Sequence, residues 1–460
     1  MNSTRDNIIK HSIILLLFIG TCIIFFPGSY SVDSWSIYRQ VQSGNYGDWY
    51  SPMIAVTWRW LISITGKFSI VFILQMFVYW LAASVLLIGL NKSWCVFFTG
   101  LACAYFFIFI PQYVMKDTHT ALTWMLAIVL MLNQYELDNK VARFSGILII
   151  LVMLVYGFYV RINAVAGFIP LLYLFTEQYL TAESGWGKKI LVLALSLALL
   201  IGGYLFVTYN LLDTKREYPE YKLRLLDVVG ISKLSGKNYI PDCVRSYEHY
   251  DEHKLLKLYS PASIDDIYWP RDGSVPVIPN SPDSQLNGCV AKAWNKAVME
   301  NPVLYVKNRY HGFLYYLRVK ERFKPDEYWN VAIWMEPKNP IGLKRDEWRQ
   351  PGKWAPPYSR FTKTPFYSPW LWLVIGTVFF LIYIILYMRR KAYQYKIMAF
   401  MQLSAMLYLL SQFPVYQHDK DFRYNYWNVL AAGTGLVYLN DRKYLLSERN
   451  RRPPNCPNRP

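Results

Sequence analysis

Long, nearly uncharged apolar stretches constrain this chain more than any other feature of its sequence. The most uniform of them are residues 13–26, 70–90, 147–160, 190–209 and 371–388. Stretches of this length match the hydrocarbon core of a bilayer, which is about 30 Å thick. A soluble chain of 460 residues would instead divide into roughly three domains with shorter apolar segments. The sequence therefore predicts a polytopic membrane protein.

The basic residues indicate how these stretches are oriented. The chain has 49 Lys+Arg and 31 Asp+Glu, a net charge of +18, and most of the basic clusters flank apolar segments. With the N-terminus in the cytoplasm, these clusters all fall on the cytoplasmic side, as the positive-inside rule requires. The expected spans are 11–27, 67–90, 94–110, 119–133, 145–160, 164–180, 188–210, 368–388, 396–413 and 426–440. Topology thus explains much of the positive charge, and we expect membrane lipid but no nucleic acid as a partner.

One segment between the expected spans is too long to be a simple connection. The chain accordingly divides into an N-terminal transmembrane module (1–210), a periplasmic domain (211–367), C-terminal transmembrane helices (368–445) and a cytoplasmic tail (446–460). Cys243 and Cys289 are the two cysteines of the periplasmic segment. An oxidising periplasm allows a disulfide between them, worth about 4 kcal/mol in the loop-entropy model. The sequence equally allows two unpaired thiols.

Four groups of charged residues lie at the predicted outer ends of the spans. They are Asp33 after the first span, Lys116-Asp117-Thr118-His119, Arg161 with Asn163, and residues 416–426 before the last span. A charge at the end of a span is costly unless it faces a cavity or a partner. One such group alone is typical of a solvated turn, and Asp33 alone also suits the N-cap of a surface-lying helix. Four groups on one face of the membrane together predict a functional site.

Transfer of a sugar from a polyprenyl phosphate requires both signs of charge at a membrane face. The phosphate is already a good leaving group, so a carboxylate must deprotonate the acceptor while cations stabilise the departing phosphate. Asp33 and Asp117 are the candidate catalytic carboxylates. Lys116, Arg161 and Arg423 are the candidate ligands of the lipid phosphate, and arginine suits bidentate contact.

Other polar side chains in these groups are candidates for binding the sugar or the acceptor. They are Asn163, His119, His418, Asp421 and Tyr424. A structural role for Arg161 is the alternative, because the side chain has no acidic neighbour in sequence and needs a partner from elsewhere. The structural partners to expect are Asp117, Asp419 and Asp421.

The four groups resemble the outer loops of the polytopic glycosyltransferases of the GT-C superfamily. The likeness consists of an acid before a surface-lying helix, a Lys-Asp pair, an Arg-x-Asn after the fifth span and an Asp-x-Arg-Tyr before the last. A stretch from Ala293-Trp294-Asn295 to Arg309 and Phe313 is similar to a helical segment that recurs in bacterial members. Among these, the chain resembles the serotype-converting O-antigen glucosyltransferases.

The resemblance implies a fold, an activity and a location. The fold is an all-α, GT-C-like membrane protein of about ten transmembrane helices with a periplasmic domain. The activity is inverting transfer of a hexose, glucose by preference, from a polyprenyl-phosphate donor to a surface glycan acceptor such as LPS O-antigen. The location is the bacterial inner membrane, with the active site facing the periplasm.

The resemblance also implies residue roles. The first-loop acid of GT-C enzymes usually activates the acceptor, which falls on Asp33, and the second-loop acid supports it, which falls on Asp117. This chain has Lys-Asp-Thr-His where the pattern has a paired acidic dipeptide. Asp117 and His119 alone are few ligands for a divalent ion. We therefore expect no obligatory metal and no cofactor.

Other classes of membrane protein share parts of this pattern. A lipid-linked glycan flippase or other transporter would also place charges in a membrane cavity, but we find no internal symmetry of discontinuous helices. A membrane O-acyltransferase would need a histidine base, with His119, His418 and His311 as candidates. An O-antigen ligase is usually centred on a large loop rich in Arg and His. A purely structural protein would leave Arg161 unexplained.

Overall fold

The computed structural model describes residues 2–90, 94–133, 139–181, 184–262, 265–268, 274–319, 364–415 and 422–439. Over these residues the chain is helical, and its only extended pairing consists of isolated bridges between loops. The prediction of an all-α fold is therefore confirmed for the described part of the chain.

The helices follow one another with mostly short connections. In chain order they are α1 (Asn2–Phe25), α2 (Val32–Ser43), α3 (Pro52–Thr65), α4 (Ile70–Leu90), α5 (Trp94–Phe106), α6 (Lys116–Asn133), α7 (Lys140–Val160), α8 (Val165–Tyr179), α9 (Trp186–Phe206), α10 (Pro219–Ser235), α11 (Asp242–Arg245), α12 (Glu252–Leu258), α13 (Asp265–Tyr268), α14 (Ser284–Glu300), α15 (Pro302–Tyr316), α16 (Pro369–Arg390), α17 (Tyr393–Leu410), α18 (Gln412–Val415) and α19 (Tyr426–Leu439). Short 3-10 turns at Ile162–Ala164, Pro365–Tyr367 and Phe422–Asn425 precede α8, α16 and α19.

Six helices of the described part are long and apolar enough to cross a membrane. They are α1, α4, α7, α9, α16 and α17. Only 6% of the α9 segment is buried within the protein, against 56% of the α4 segment. An apolar surface as large as that of α9 is unfavourable in water. The exposed apolar helices are therefore compatible with a protein that faces lipid.

Four shorter helices occupy the positions of the remaining expected spans. α5, α6, α8 and α19 have 13, 18, 15 and 14 residues, whereas an apolar span normally needs about 20. α6 and α19 are buried along most of their length and pack against each other. They form the middle of the helical bundle, and the count of about ten membrane helices stays a prediction.

α3 has no counterpart among the elements expected from the sequence. This helix begins with Pro52, whose missing N–H costs nothing at the first helical position. Ile54, Trp58 and Leu61 are buried at helical spacing, on a helix that packs against α4 and α7. The apolar pattern of α3 is interrupted by Arg59 and follows a segment rich in Gly, Asn and Tyr, so the pattern does not single out a helix here.

Apolar side chains form two large separate cores. The first core runs through the apolar helices and contains the buried rings of Trp58, Trp124 and Trp427. The second core lies within α10–α15 and is built largely from aliphatic and tyrosine side chains. Cys243 and Cys289 form a disulfide that joins α11 to α14, which is one of the two alternatives that the sequence allowed. The periplasmic location of the second core stays a prediction.

Candidate functional site

Backbone hydrogen bonds hold two connections side by side at one end of the apolar helices. The Ser29 N–H donates to the Gln112 carbonyl at 2.8 Å, and the Val114 N–H donates to the Ser29 carbonyl at 2.9 Å. Ser34 Oγ also donates to the Val114 carbonyl, at 2.5 Å across 80 residues of sequence. These bonds place the N-terminus of α2 beside the N-terminus of α6.

The local sequence explains how α2 begins at this point. Gly28 has a φ of +100°, and a Cβ there would lie 2.9 Å from the ring of Phe72, so the chain needs glycine to turn. Ser31 is the N-cap of α2 and forms a capping box with Ser34. Asp33 is therefore not the N-cap, which corrects the simplest structural interpretation of this residue. Its carboxylate binds side chains from other parts of the chain.

Asp33, Lys116, Asp117, Arg161 and Arg423 lie together, and we call this group the ionic cluster. Arg423 Nη1 lies 2.6 Å from Asp33 Oδ2, and Arg423 Nε lies 3.9 Å from Asp117 Oδ2. Arg161 pairs with Asp117. Lys116 interacts electrostatically with Asp33. The structure thus brings together the five residues that the sequence predicted as catalytic or phosphate-binding.

Tyrosine rings support the two arginines of the ionic cluster. The ring of Tyr424 lies 4.7 Å from the Arg161 guanidinium carbon and 5.0 Å from that of Arg423. Arg423 Nη2 also donates to the Tyr424 hydroxyl at 3.1 Å. Tyr408, on α17, lies 5.4 Å from Arg161. Aromatic faces stabilise cations in this geometry, so Tyr424, predicted as a sugar-binding residue, contacts the arginines.

Tyr50 connects the acid of the first loop to the lysine of the second. Its hydroxyl donates to Asp33 Oδ1 at 2.9 Å, and Lys116 Nζ lies 4.8 Å from the centre of its buried ring. Tyr50 was not among the predicted site residues, because an uncharged aromatic residue in a loop rich in aromatics gives no distinctive signal. The one feature of the sequence that sets Tyr50 apart is its position directly before Ser51-Pro52, where α3 begins.

Members of the ionic cluster differ in their access to solvent. The side chains of Asp117 and Arg161 are 0% and 2% exposed, so they form a buried ion pair. This pair is the structural alternative that the sequence left open for Arg161. The side chains of Arg423 and Asp33 are 10% and 18% exposed, and Lys116 is partly exposed as well. A ligand therefore has access to Asp33, Lys116 and Arg423 rather than to the buried pair.

The surroundings of Asp33 favour its ionised form. Burial alone would raise the pKa of this carboxyl, but the charges of Arg423 and Lys116 and the hydrogen bond from Tyr50 outweigh burial. The pKa of Asp33 therefore lies below its ordinary value. Asp33 is a carboxylate at neutral pH and is able to accept a proton.

His119 is engaged by other side chains, and Asn163 is exposed. Trp58 Nε1 donates to His119 Nε2 at 3.2 Å, and His119 Nδ1 lies 2.9 Å from the Tyr156 hydroxyl. Because Nε2 accepts, a neutral His119 carries its proton on Nδ1 and donates it to Tyr156. Both ring nitrogens are thus occupied, which favours a packing role. Asn163 is exposed in the turn Ile162–Ala164.

Part of the predicted site lies outside the described residues. This part comprises His418, Asp419 and Asp421. Among the residues that the structure does describe, no group of three or more His, Cys, Asp or Glu side chains is arranged to hold a metal ion. Asp33 and Asp117 are each paired with a cation, so these two acids fit poorly as ligands of a divalent ion.

A second buried ion pair lies in the second core. Arg309 Nη2 donates to Asp227 Oδ2 at 2.5 Å, and Trp294 Nε1 donates to the same oxygen at 2.8 Å. Trp294 and Arg309 both belong to the 293–313 stretch that contributed to the GT-C resemblance. Its polar residues therefore join α14 and α15 to α10, and this accounts structurally for part of the motif.

The chain was compared with known families, curated proteins and solved structures. No family model, no curated protein and no solved structure matches it. The resemblance to GT-C enzymes therefore rests on the short motifs alone, and the functional argument depends on the geometry of the ionic cluster.

Proposed function

We propose that this chain is a membrane glycosyltransferase that moves a hexose from polyprenyl phosphate to a hydroxyl of a surface glycan. The observation that supports it is the ionic cluster, which gathers three cations and two carboxylates from connections as far apart as 390 residues. Charges assembled at the end of apolar helices are costly without a partner. A phosphate is the ligand that best accounts for three basic side chains gathered at this place among the described residues.

The accessible cations contact the lipid phosphate in this proposal. Arg423 offers a planar fork for two phosphate oxygens and Lys116 a compact charge. Arg161 and Asp117 lie behind these cations. Asp117 contacts Arg423 directly, and Arg161 packs on the Tyr424 ring, whose hydroxyl accepts a hydrogen bond from Arg423. We therefore assign Arg161 and Asp117 a supporting role, whereas the sequence alone had suggested direct phosphate binding and catalysis.

Asp33 is the general base of the proposed reaction. It takes the proton from the acceptor hydroxyl while the acceptor oxygen bonds to the anomeric carbon of the hexose. The bond between that carbon and the phosphate oxygen breaks, and polyprenyl phosphate leaves with the electron pair. Attack from the face opposite the phosphate inverts the anomeric configuration. The phosphate also offsets the charges of Arg423 and Lys116, which moves the pKa of Asp33 upward toward the range of an effective base.

Resemblance alone supports the finer parts of the proposal. These are the choice of glucose, an LPS O-antigen acceptor, the bacterial inner membrane and a periplasmic active site. The O-acyltransferase alternative needs a histidine base, and His119 does not offer one because both of its ring nitrogens are engaged. His418, another candidate for that base, lies outside the described residues. The flippase alternative is separated from the transferase by the experiment below.

The test is an in-vitro transfer assay with the purified chain in lipid nanodiscs. Radiolabelled polyprenyl-phosphate glucose and lipid-linked O-antigen are supplied, and the labelled glycan is measured. Asp33→Asn is expected to lower turnover by about 10²–10⁴-fold, the usual contribution of a general base. The matched control is Asp213→Asn, at an exposed acid whose positive φ asparagine tolerates, and it should retain full turnover.

Two results would contradict the proposal. Retention of more than about a tenth of turnover by Asp33→Asn would exclude this residue as the base. Movement of the intact lipid-linked sugar across the bilayer by the wild type in sealed proteoliposomes, without transfer to any acceptor, would favour a flippase and reject the transferase.

A further inference from the structure

Residues 46–50 contact the second core as well as the ionic cluster. The Lys215 N–H donates to the Tyr46 carbonyl at 2.8 Å, and the Asp48 N–H donates to the Lys215 carbonyl at 3.1 Å. The bonds form a short parallel bridge between Gly47 and Lys215. Lys215 is separated from α10 by only three residues, so the bridge joins the first loop to the beginning of the second core.

Charged side chains reinforce this bridge. The Asp48 carboxylate accepts from Arg216 Nη1 at 2.5 Å and from the Glu217 N–H at 2.7 Å. The Glu217 carboxylate in turn accepts from the Trp49 N–H at 3.0 Å. A Cβ at residue 47 would lie 2.5 Å from the Glu217 carboxylate, so Gly47 permits the close approach. The two segments are thus bonded reciprocally.

Trp49 is fixed from the side of the second core as well. Lys222, a buried residue of α10, places its Nζ 4.4 Å from the Trp49 ring and 4.8 Å from the Tyr268 ring. Buried cation–π contacts of this kind are stronger than exposed ones. The backbone and the ring of the residue before Tyr50 are therefore both held by the second core.

We propose that Tyr50 is a positioning residue that orients Asp33 and Lys116 for transfer, and that the second core fixes Tyr50 through residues 47–49. This inference rests on the proposed function. The buried Tyr50 side chain donates a hydrogen bond to Asp33, and its ring lies beneath Lys116. The two residues before Tyr50, Asp48 and Trp49, are hydrogen-bonded to the segment that leads into the second core. A displacement of the second core would therefore be transmitted to Asp33 through the three consecutive residues 48–50.

The pKa of Asp33 depends on the charged and polar groups around its carboxyl. The charged and titratable groups that face Asp33 within the described residues are Tyr50 from the first loop, Lys116 from α6 and Arg423 from the turn before α19, with Asp117 and Arg161 behind them. Arg423, Lys116 and the Tyr50 hydroxyl all lower the pKa of Asp33. Loss of the hydroxyl alone should therefore raise it.

Tyr50→Phe tests the positioning role, because it removes the hydroxyl and keeps the ring beneath Lys116. The probe is a water-soluble carbodiimide, which reacts with protonated carboxyl groups, and labelling of Asp33 is followed by mass spectrometry as a function of pH. The labelling midpoint is expected to rise by about one pH unit, as for the loss of one hydrogen bond to a charged group. The acidic limb of the plot of turnover against pH should move to higher pH by the same amount.

Tyr46→Phe is the matched control, because the hydroxyl of Tyr46 contacts Arg59 on the surface of α3. It should leave the labelling midpoint of Asp33 unchanged. A midpoint for Tyr50→Phe within about 0.2 pH units of the wild type, where a lost hydrogen bond predicts about one, would overturn the positioning role.

Glu217→Ala tests the connection to the second core, because it removes the acceptor of the Trp49 N–H. The Asp33 midpoint should rise in this variant by less than in Tyr50→Phe, and the double variant should match Tyr50→Phe alone. The control is Glu300→Ala, at an exposed acid of the second core paired with Lys237, which should have no effect. Equal midpoints in Glu217→Ala and Glu300→Ala would overturn the connection.

The labelling readout distinguishes this inference from the proposed function. Carbodiimide labelling needs no sugar substrate, so it reports the contact between Tyr50 and Asp33 even in a protein that transfers nothing. A wild type without transferase activity would refute the proposed function and with it any role of Tyr50 in transfer. An active wild type whose Tyr50→Phe variant keeps both its labelling midpoint and its turnover profile would refute the further inference alone.

Discussion

Two buried carboxylate–arginine pairs in this molecule have different surroundings. In the second core, Asp227 meets Arg309 and the indole of Trp294, so one negative charge is matched by one positive charge. At the end of the apolar helices, the pair of Asp117 and Arg161 belongs to a group that contains, among the described residues, three basic and two acidic side chains, some of them partly exposed.

This difference separates a structural ion pair from a candidate binding site. Burial of any charge is costly, and a balanced pair offsets that cost within the protein. A group with excess positive charge and access to solvent is stabilised further by an anion from outside. The two pairs therefore differ in what the removal of both charges should do. It should leave transfer intact when made in the second core, and it should impair ligand chemistry when made in the ionic cluster.

The largest effect is expected from breaking the balanced pair. Arg309→Ala leaves Asp227 buried without its cation, and removal of one partner of a buried pair typically costs about 3–5 kcal/mol. Chemical denaturation in mild detergent should show this loss in the unfolding of the second core. The control is Lys237→Ala at the exposed Lys237–Glu300 pair, which should unfold like the wild type. Equal stability of Arg309→Ala and Lys237→Ala would show that the buried pair is not structural.

The next effect compares removal of both charges at each site. Asp227→Leu with Arg309→Met should leave transfer within about threefold of the wild type, because apolar replacement of both partners is often neutral for stability. Asp117→Leu with Arg161→Met should fold but lose about 100-fold in transfer, close to 2.7 kcal/mol, because Arg423 and Tyr424 lose their support. The in-vitro transfer assay measures both. Similar losses at the two sites would remove the distinction between them.

Much of the fold could be predicted from the sequence because apolar helices are recognisable from their length and composition. The predicted span 368–388 corresponds to Pro369–Arg390, and 396–413 to Tyr393–Leu410. α3 was missed because its apolar run is short and contains the exposed Arg59. The second core was expected as a folded unit, but its helices carry mixed polar and apolar residues, so their packing around Asp227 could not be derived from the pattern.

The members of the ionic cluster were predictable for a related reason. Asp33, Lys116, Asp117, Arg161 and Arg423 are charges between apolar segments, where each stands out against its neighbours. Their pairing could not be predicted, because it depends on distances between connections that are far apart in sequence. Tyr50 and Tyr408 carry no charge, and Asp227 lies in a segment rich in charges, so none of these residues stands out from its neighbours.

The central claim is that the accessible cations of the ionic cluster bind a lipid phosphate, and direct binding of radiolabelled polyprenyl phosphate to the chain in nanodiscs tests it. The wild type should bind, and Lys116→Gln should weaken binding at least about tenfold, as expected for the loss of a charge-assisted contact. Lys215→Gln, at an exposed lysine that joins the first loop through its backbone, should bind like the wild type. Equal affinities of the wild type, Lys116→Gln and Lys215→Gln would contradict the account.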